Sequence, residues 1–565
     1  MQSAAGRTFD VIVVGSGASG GWAAKRLAEA GVNVGLLDAG RALTDADYKE
    51  HQPAAALPYR NQAPEVIRRT RPVQKDCYAC SEWNYDWFRN DLEEPYTTPK
   101  DKPFSWQGRM QVVGGRTNVW GRQSYRFSEL DFKAASHDGF GEDWPLGYDD
   151  VAPYYDIVED YVGITGLAEG VFELPDGKFH PPMGLRCVER QFKTRVKNKL
   201  GWTMTLGRSA NLTKPINGRQ ACHYCGPCER GCMTHSYFNS AFTTVADALK
   251  TGRCTLVTNA MAYKVLMDPV KHRARGVLYI DRLTREPKEV YARAVVLCAQ
   301  ALESTRILLN SASEQDPAGL GNSSGALGHY LMDHLWVAGG ASGEFPDLAA
   351  KEKLNPDGPN RPDGTYVIRF RNTKSGPQAK DFLRGYGFQG GGSTSFNWNA
   401  PGYGGEFKRS LLDPVVSMGL AGFGECLPYF ENYVELDPNV VDVFGIPVLR
   451  VNMAFRGNEK KMIPDMMESA AEMMAAAGAK NIRPWMVLDR VPGWGIHEMG
   501  VARMGKDAKT SVLNQFQQSH DVPNLFLTDA ASFTSGACQN PTLTIMALTV
   551  RSTDYLLGEM KKGSL

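Results

Sequence analysis

The sequence predicts an α/β protein: a largely parallel sheet flanked by helices, interrupted by an inserted antiparallel sheet. Three observations carry this. FDVIVVGSGASGGWAAKRLAEAG (9–31) reads strand, tight glycine turn, helix. A strand–strand–helix block occupies 255–310, and the tail, from VPNLFLTDAAS onward, reads strand, loop, long helix. Over 331–484 the texture shifts to Gly, Asn, Pro and aromatic residues, with alternating strands such as TYVIRFRN and NYVELDP. One discontinuous unit (1–330 with 485–565) and one inserted unit (331–484) are expected.

Taken in order, residues 9–14 are nearly all apolar, as a parallel strand buried on both faces requires. A helix follows from Ser19 to Ala30, stopped by Gly31. VNVGLLDAG gives a second strand ending at Asp38. Gly15, Gly17 and Gly20 form G-x-G-x-x-G. The first glycine permits the tight turn, the second lets backbone approach a pyrophosphate, and the third allows close helix–strand packing. Asp38 stands about 20 residues on, where an acid meets a ribose hydroxyl. The unit is Rossmann-like and binds a dinucleotide; the motif does not separate FAD from NAD.

The 565 residues allow more than one core, and 63 basic against 62 acidic residues leave a net charge of +1. That balance gives no pull toward nucleic acid or an anionic membrane. No run of about 20 apolar residues is present, so no direct membrane span is expected. The opening MQSAAGRTFD enters the first strand without an apolar signal core.

A second glycine turn lies in MQVVGGRTNVWG (110–121), and a later stretch runs from IHEMGVARMG (496–505) to SGACQNPTLT (535–544). With VVLCAQALESTRILLNS, LGHYLMDH and NLFLTDAAS, these motifs resemble the glucose–methanol–choline (GMC) oxidoreductases from residue 9 to the C-terminus. The resemblance implies FAD, an FAD-binding domain over 1–330 and 485–565, and a substrate-binding domain over 331–484. It implies that the turn with Gly114, Gly115 and Asn118 lies against the flavin. Asp529 and Ala530 would hold the pyrophosphate or ribityl chain, Pro541 and Thr542 would meet the ring, and Ala262 would contact adenine. Val119 stands where a histidyl link to FAD would form, so non-covalent FAD is expected.

His497 and Asn540 match the family's catalytic pair. An alcohol must lose its hydroxyl proton as its hydride leaves, and a neutral imidazole can take that proton. A second polar group orients the hydroxyl and stabilises developing alkoxide. In pyranose oxidases Thr occupies the place of Val501. His329 and His334 read as part of a structural stretch; His223 and His235 flank the cysteine run and read as surface histidines, with tuning of the cysteines the alternative.

Of 11 cysteines, Cys222, Cys225, Cys228 and Cys232 fall in CHYCGPCERGC. Their C-x2-C-x2-C-x3-C spacing is close to the bacterial ferredoxin run, with Met233 replacing the usual Pro. An iron–sulfur cluster is the leading reading, a structural zinc the other. Within the family this resembles catalytic subunits of bacterial sugar dehydrogenases. That implies a sugar or glycoside substrate, with C3 of a pyranoside favoured. It further implies a 3Fe–4S cluster (4Fe–4S being the alternative), a small subunit with a twin-arginine signal, and a cytochrome c acceptor. The location would be periplasmic by co-export, otherwise cytoplasmic. A sugar oxidase with zinc at the cysteines, and a flavin electron-transfer protein, stand as alternatives. Cys77 and Cys80 stay unassigned, and Trp83, Tyr85, Trp87 and Phe88 either cover a sugar site or pack.

Overall fold

The computed structural model describes residues 6–62, 64–349, 361–379, 381–396, 402–412 and 414–565. Near the centre of a seven-stranded mixed sheet lies β1 (Thr8–Val14). Successive side chains of a strand point to opposite faces. Val11 and Val13 therefore enter one buried cluster, Ile12 and Val14 another, which is why the run is continuously apolar. β1 pairs in parallel with β2 (Val34–Leu37) and with Pro287–Leu297. Cys254–Val257 and Leu525–Leu527 extend the parallel part. Arg273–Asp281 and Ala260–Asp268 add an antiparallel edge. The glycine turn after β1 opens α1 (Ala18–Glu29), which packs against the C-terminal helix Thr542–Lys562.

The second sheet has six strands, in the order Lys480–Met486, Leu335–Glu344, Pro414–Gly424, Tyr386–Phe396, Thr365–Val367, Met204–Leu206. All its pairings are antiparallel. One strand, Met204–Leu206, comes from well before residue 331. NYVELDP departs from expectation: Tyr433–Val441 pairs with Pro447–Asn452 in a separate ribbon, outside the large sheet. Only Val434 of its nine residues is buried, so it has no continuous apolar face to bury in the large sheet. Helix Gly457–Ala477 covers Leu335–Glu344 with Met462, Met466, Met473 and Met474. A Cβ on Gly339 would stand 2.6 Å from Ile463 O in the helix backbone, so this strand needs glycine to accept the helix. Among the described residues no helix is long and apolar enough to cross a membrane.

Candidate active site

A cavity of about 630 Å³ runs from Asp38 and Ala262 at one end to His497 and Asn540 at the other, within the range of ligand-binding pockets. Its nucleotide end follows from the first turn. Gly15 has φ +96°, and a Cβ there would lie 2.4 Å from Cys298 O. A Cβ on Gly20 would lie 1.8 Å from Gly15 O, so Gly20 serves packing and stays behind the wall. Gly17 differs: its nearest neighbour would be 3.9 Å away, so the space its missing side chain leaves belongs to the cavity. That is a cradle fit for a pyrophosphate at a helix N-terminus. Asp38 accepts from Ser16 N at 3.1 Å, from Ser16 Oγ and from Gly40 N at 2.8 Å, yet burial raises its pKa. Ser16 Oγ also accepts from Gly114 N at 2.9 Å, joining the two glycine turns.

In the second turn, Gly115 and Val119 line the cavity. Gly114 and Asn118 sit behind it. Asn118 spends its amide on the turn, donating to Val113 O (3.0 Å) and Gly115 O (2.9 Å) and accepting from Asn239 (2.6 Å). Arg116, which the sequence reading passed over, clamps the turn to the histidine loop. It donates to Ile496 O at 2.6 Å and to buried Glu498 at 2.7 Å. Asp529, Ala530, Pro541 and Thr542 complete the wall. Asp529 accepts from Ser304 Oγ (2.5 Å) and Ala531 N (2.9 Å), and burial lifts its pKa to about 6.

At the far end His497 and Asn540 meet, with Nε2 and Nδ2 3.5 Å apart. A carbonyl oxygen only accepts, so His334 Nε2 carries the proton that it shares with Ala537 O at 3.1 Å. Neutral His334 then has its lone pair on Nδ1, and His497 donates to it from Nδ1 at 3.0 Å. The lone pair of His497 is left on Nε2, facing the cavity and Asn540. Enclosure by protein first, then His334 and Arg116, push His497 well below 6.5; burial takes His334 down to about 4. Both rings are neutral at physiological pH. Buried Asp333 pins the loop by accepting from Gly493 N (2.8 Å), Gly495 N (3.0 Å) and His497 N (3.0 Å). Gln389, from the second sheet, donates to Asn540 Oδ1 at 2.6 Å and so presents Nδ2 to the cavity.

Aromatic side chains of this end come from Trp336, Phe423 and Trp494. Trp336 and Phe423 are a cross-strand pair beside a register shift, a device that re-aims side chains near sites. In the 83–88 stretch, Trp83 and Trp87 are buried packing residues, while Phe88 reaches the wall. Cys77 and Cys80 are free thiols; Cys77 is buried in the same packing cluster as Trp87. Val501 is fully buried and outside the wall.

The segment with Cys222, Cys225, Cys228 and Cys232 lies outside the cavity wall but close to it. Arg122 lines the cavity and its charge acts on Cys228. Tyr237 packs with Cys228 and Cys232 and donates its hydroxyl to Asn118 O in the second turn. Four thiolates on one zinc stand about 3.8 Å apart at tetrahedral angles. Here no three of the four sulfurs lie within 4.8 Å of one another among the described residues. Backbone N–H groups of Tyr224 (3.4 Å) and Ser236 (3.2 Å) point at Cys222 and Cys232. Such hydrogen bonds suit metal-bound thiolates of either kind; the wide separation of the sulfurs is what fits a cluster better than a four-thiolate zinc.

The two helix-turn glycines separate cofactor binding from folding. Gly17→Ala should fold with a melting temperature near that of the parent and weaken FAD about tenfold, about 1.4 kcal/mol. Gly20→Ala should unfold or precipitate, because its Cβ meets backbone. Flavin titration and thermal melts of both variants check this; equal FAD affinity in Gly17→Ala would contradict the cradle.

Two family models for GMC oxidoreductases match, the N-terminal one over residues 9–336 and the C-terminal one over 428–549. The chain is 30% identical to a 2-methyl-1,2-propanediol dehydrogenase of Mycolicibacterium austroafricanum, over 98% of this chain and 96% of that one. It is 26% identical to the fructose dehydrogenase large subunit of Gluconobacter japonicus, over 98% of each. A solved formate oxidase variant from Aspergillus oryzae RIB40 shares the fold, with TM-score 0.61, 15% identity, and 99% and 100% of the two chains covered. The chain belongs to the GMC oxidoreductase family and is an FAD-dependent oxidoreductase acting on alcohol groups.

Proposed function

We propose that this chain is the catalytic subunit of a sugar or glycoside dehydrogenase that oxidises a ring secondary alcohol, with C3 of a pyranoside favoured. The observation that carries the reading is the His497–Asn540 pair, opening between aromatic side chains at one end of the cavity. Aromatic faces stack on the apolar faces of sugar rings, and the polar pair addresses one hydroxyl. The likeness to a fructose dehydrogenase large subunit supports the substrate class.

The residues divide the work as follows. His497 Nε2 removes the hydroxyl proton as the carbon's hydride departs. Asn540 Nδ2, aimed by Gln389, donates to the substrate oxygen while it gains alkoxide charge. His334 holds the acceptor tautomer of His497, and Asp333 holds the loop. Bound FAD supplies the two-electron acceptor for the hydride. We infer that it is held non-covalently, Val119 offering no nucleophile. The thiols of Cys222–Cys232 would hold an iron–sulfur cluster, which would supply single-electron transfer toward a cytochrome c. Tyr237 and Arg122 lie between that segment and the cavity. We propose further that a small subunit with a twin-arginine signal carries the chain to the periplasm.

Two outcomes test this. Anaerobic mixing with methyl glucoside, sucrose, glucose, fructose and 2-methyl-1,2-propanediol should bleach the flavin with at least one sugar or glycoside. His497→Ala should slow that bleaching about 10²–10⁴-fold. Bleaching by the diol alone would overturn the substrate class. Cys228→Ser should leave bleaching intact and abolish cytochrome c reduction; unchanged cytochrome c reduction would remove the cluster from the electron path, and stoichiometric peroxide would favour an oxidase.

A further inference from the structure

Beside the cysteine run stands a second ligand set that the sequence reading did not contain. Glu50, His223 and Cys225 bring a carboxylate oxygen, an imidazole nitrogen and a thiol sulfur within 4.8 Å of one another. These ligand types come from two distant parts of the chain. Glu50 lies in a loop beyond β2, and its side chain has no exposure. One oxygen, Oε1, accepts from Met233 N at 2.6 Å. The other, Oε2, is buried without any hydrogen-bond partner. Among the described residues no Lys or Arg forms an ion pair with it; only His51 approaches, at 3.3 Å from Oε1. A buried carboxylate with a free oxygen and no fixed counter-charge is costly unless a cation completes it. His51 also sets its ring 5.2 Å from that of His223, so a further nitrogen is at hand. His223 is exposed and Cys225 half-buried, which leaves an entry path from solvent.

We propose that Glu50, His223 and Cys225 form a mononuclear site for a borderline divalent metal, zinc being the ion that suits this set. Mixed N, S and O donors at this separation match zinc's bonds of about 2.0–2.3 Å after small side-chain adjustments. A thiol and an imidazole do not suit calcium or magnesium, which take oxygen ligands. The site has a consequence that rests on the cluster reading above. With Cys225 committed to zinc, Cys222, Cys228 and Cys232 remain, and three thiolates match the 3Fe–4S form and not the 4Fe–4S alternative. The zinc would then sit at the solvent side of the cluster as a structural clip between the Glu50 loop and the cysteine run.

The test uses the purified holoprotein dialysed against micromolar zinc, with zinc, iron and FAD measured per chain. The parent should hold one zinc in addition to its iron. Glu50→Gln and His223→Asn should each lose most of the zinc while retaining iron and FAD. Zinc absent from the dialysed parent, or retained in both variants, overturns the site. Zinc lost in Cys228→Ser but kept in His223→Asn would move the metal into the cysteine run and overturn it equally. If the parent holds zinc by these residues but no iron, the cluster reading fails and the zinc site stands. Should the variants not fold, cobalt decides. A thiolate-to-cobalt charge-transfer band in the parent, retained in Cys228→Ser, supports the site, and its absence overturns it.

Discussion

The chemistry depends on one chain of hydrogen bonds: Ala537 carbonyl, His334, His497. Because the carbonyl accepts only, each ring along the chain has one tautomer that satisfies it, and the last lone pair faces the cavity. The arrangement works only while both rings stay neutral, since a protonated His334 would face the Nδ1–H of His497 with a second donor. Enclosure by protein supplies that neutrality. Asp333 fixes the height of the loop, and Gln389 fixes the partner amide. Each is a positioning contact whose loss would leave His497 present but misdirected.

The same economy of contacts ties the site together across the fold. Ser16 touches both glycine turns, Arg116 ties the second turn to the loop of His497, and Tyr237 ties that turn to the thiols. The cofactor cradle, the base and the cysteine run are therefore neighbours through a few side chains rather than separate modules. The second sheet adds what the first lacks: Gln389 and the Trp336–Phe423 pair, brought to the cavity by strands that carry little of the nucleotide site. Under the proposed function, the first sheet would carry the redox machinery and the second the substrate contacts, a division by which one fold can serve many alcohols.

The nucleotide end was legible in the sequence because its constraints are local. Gly15, Gly17 and Gly20 all fall in the one turn after β1, and the continuous apolar run of β1 is written residue by residue. His497 and Asn540 were legible through the family resemblance. What was not legible is what long-range packing decides. His334 read as structural because nothing in LGHYLMDH says that it meets a histidine 163 positions away. Gln389 lies in a glycine-rich strand without any motif. His223 read as a surface histidine and Glu50 belongs to no motif, because the apposition of Glu50 to Cys225 exists only in three dimensions. The ribbon at Tyr433 was misread because alternation announces a strand and not its sheet.

The central claim is that His497 acts as a neutral base of fixed tautomer, and the pH dependence of flavin reduction tests it most directly. The base must be unprotonated to act, and its pKa in the folded protein is pushed below 6.5. The second-order rate constant for anaerobic flavin reduction by the alcohol substrate should therefore stay level as pH falls through 6.5, declining only in more acidic solution. An acid limb centred near 6.5, the value of an ordinary histidine, would show an unperturbed imidazole and contradict the account.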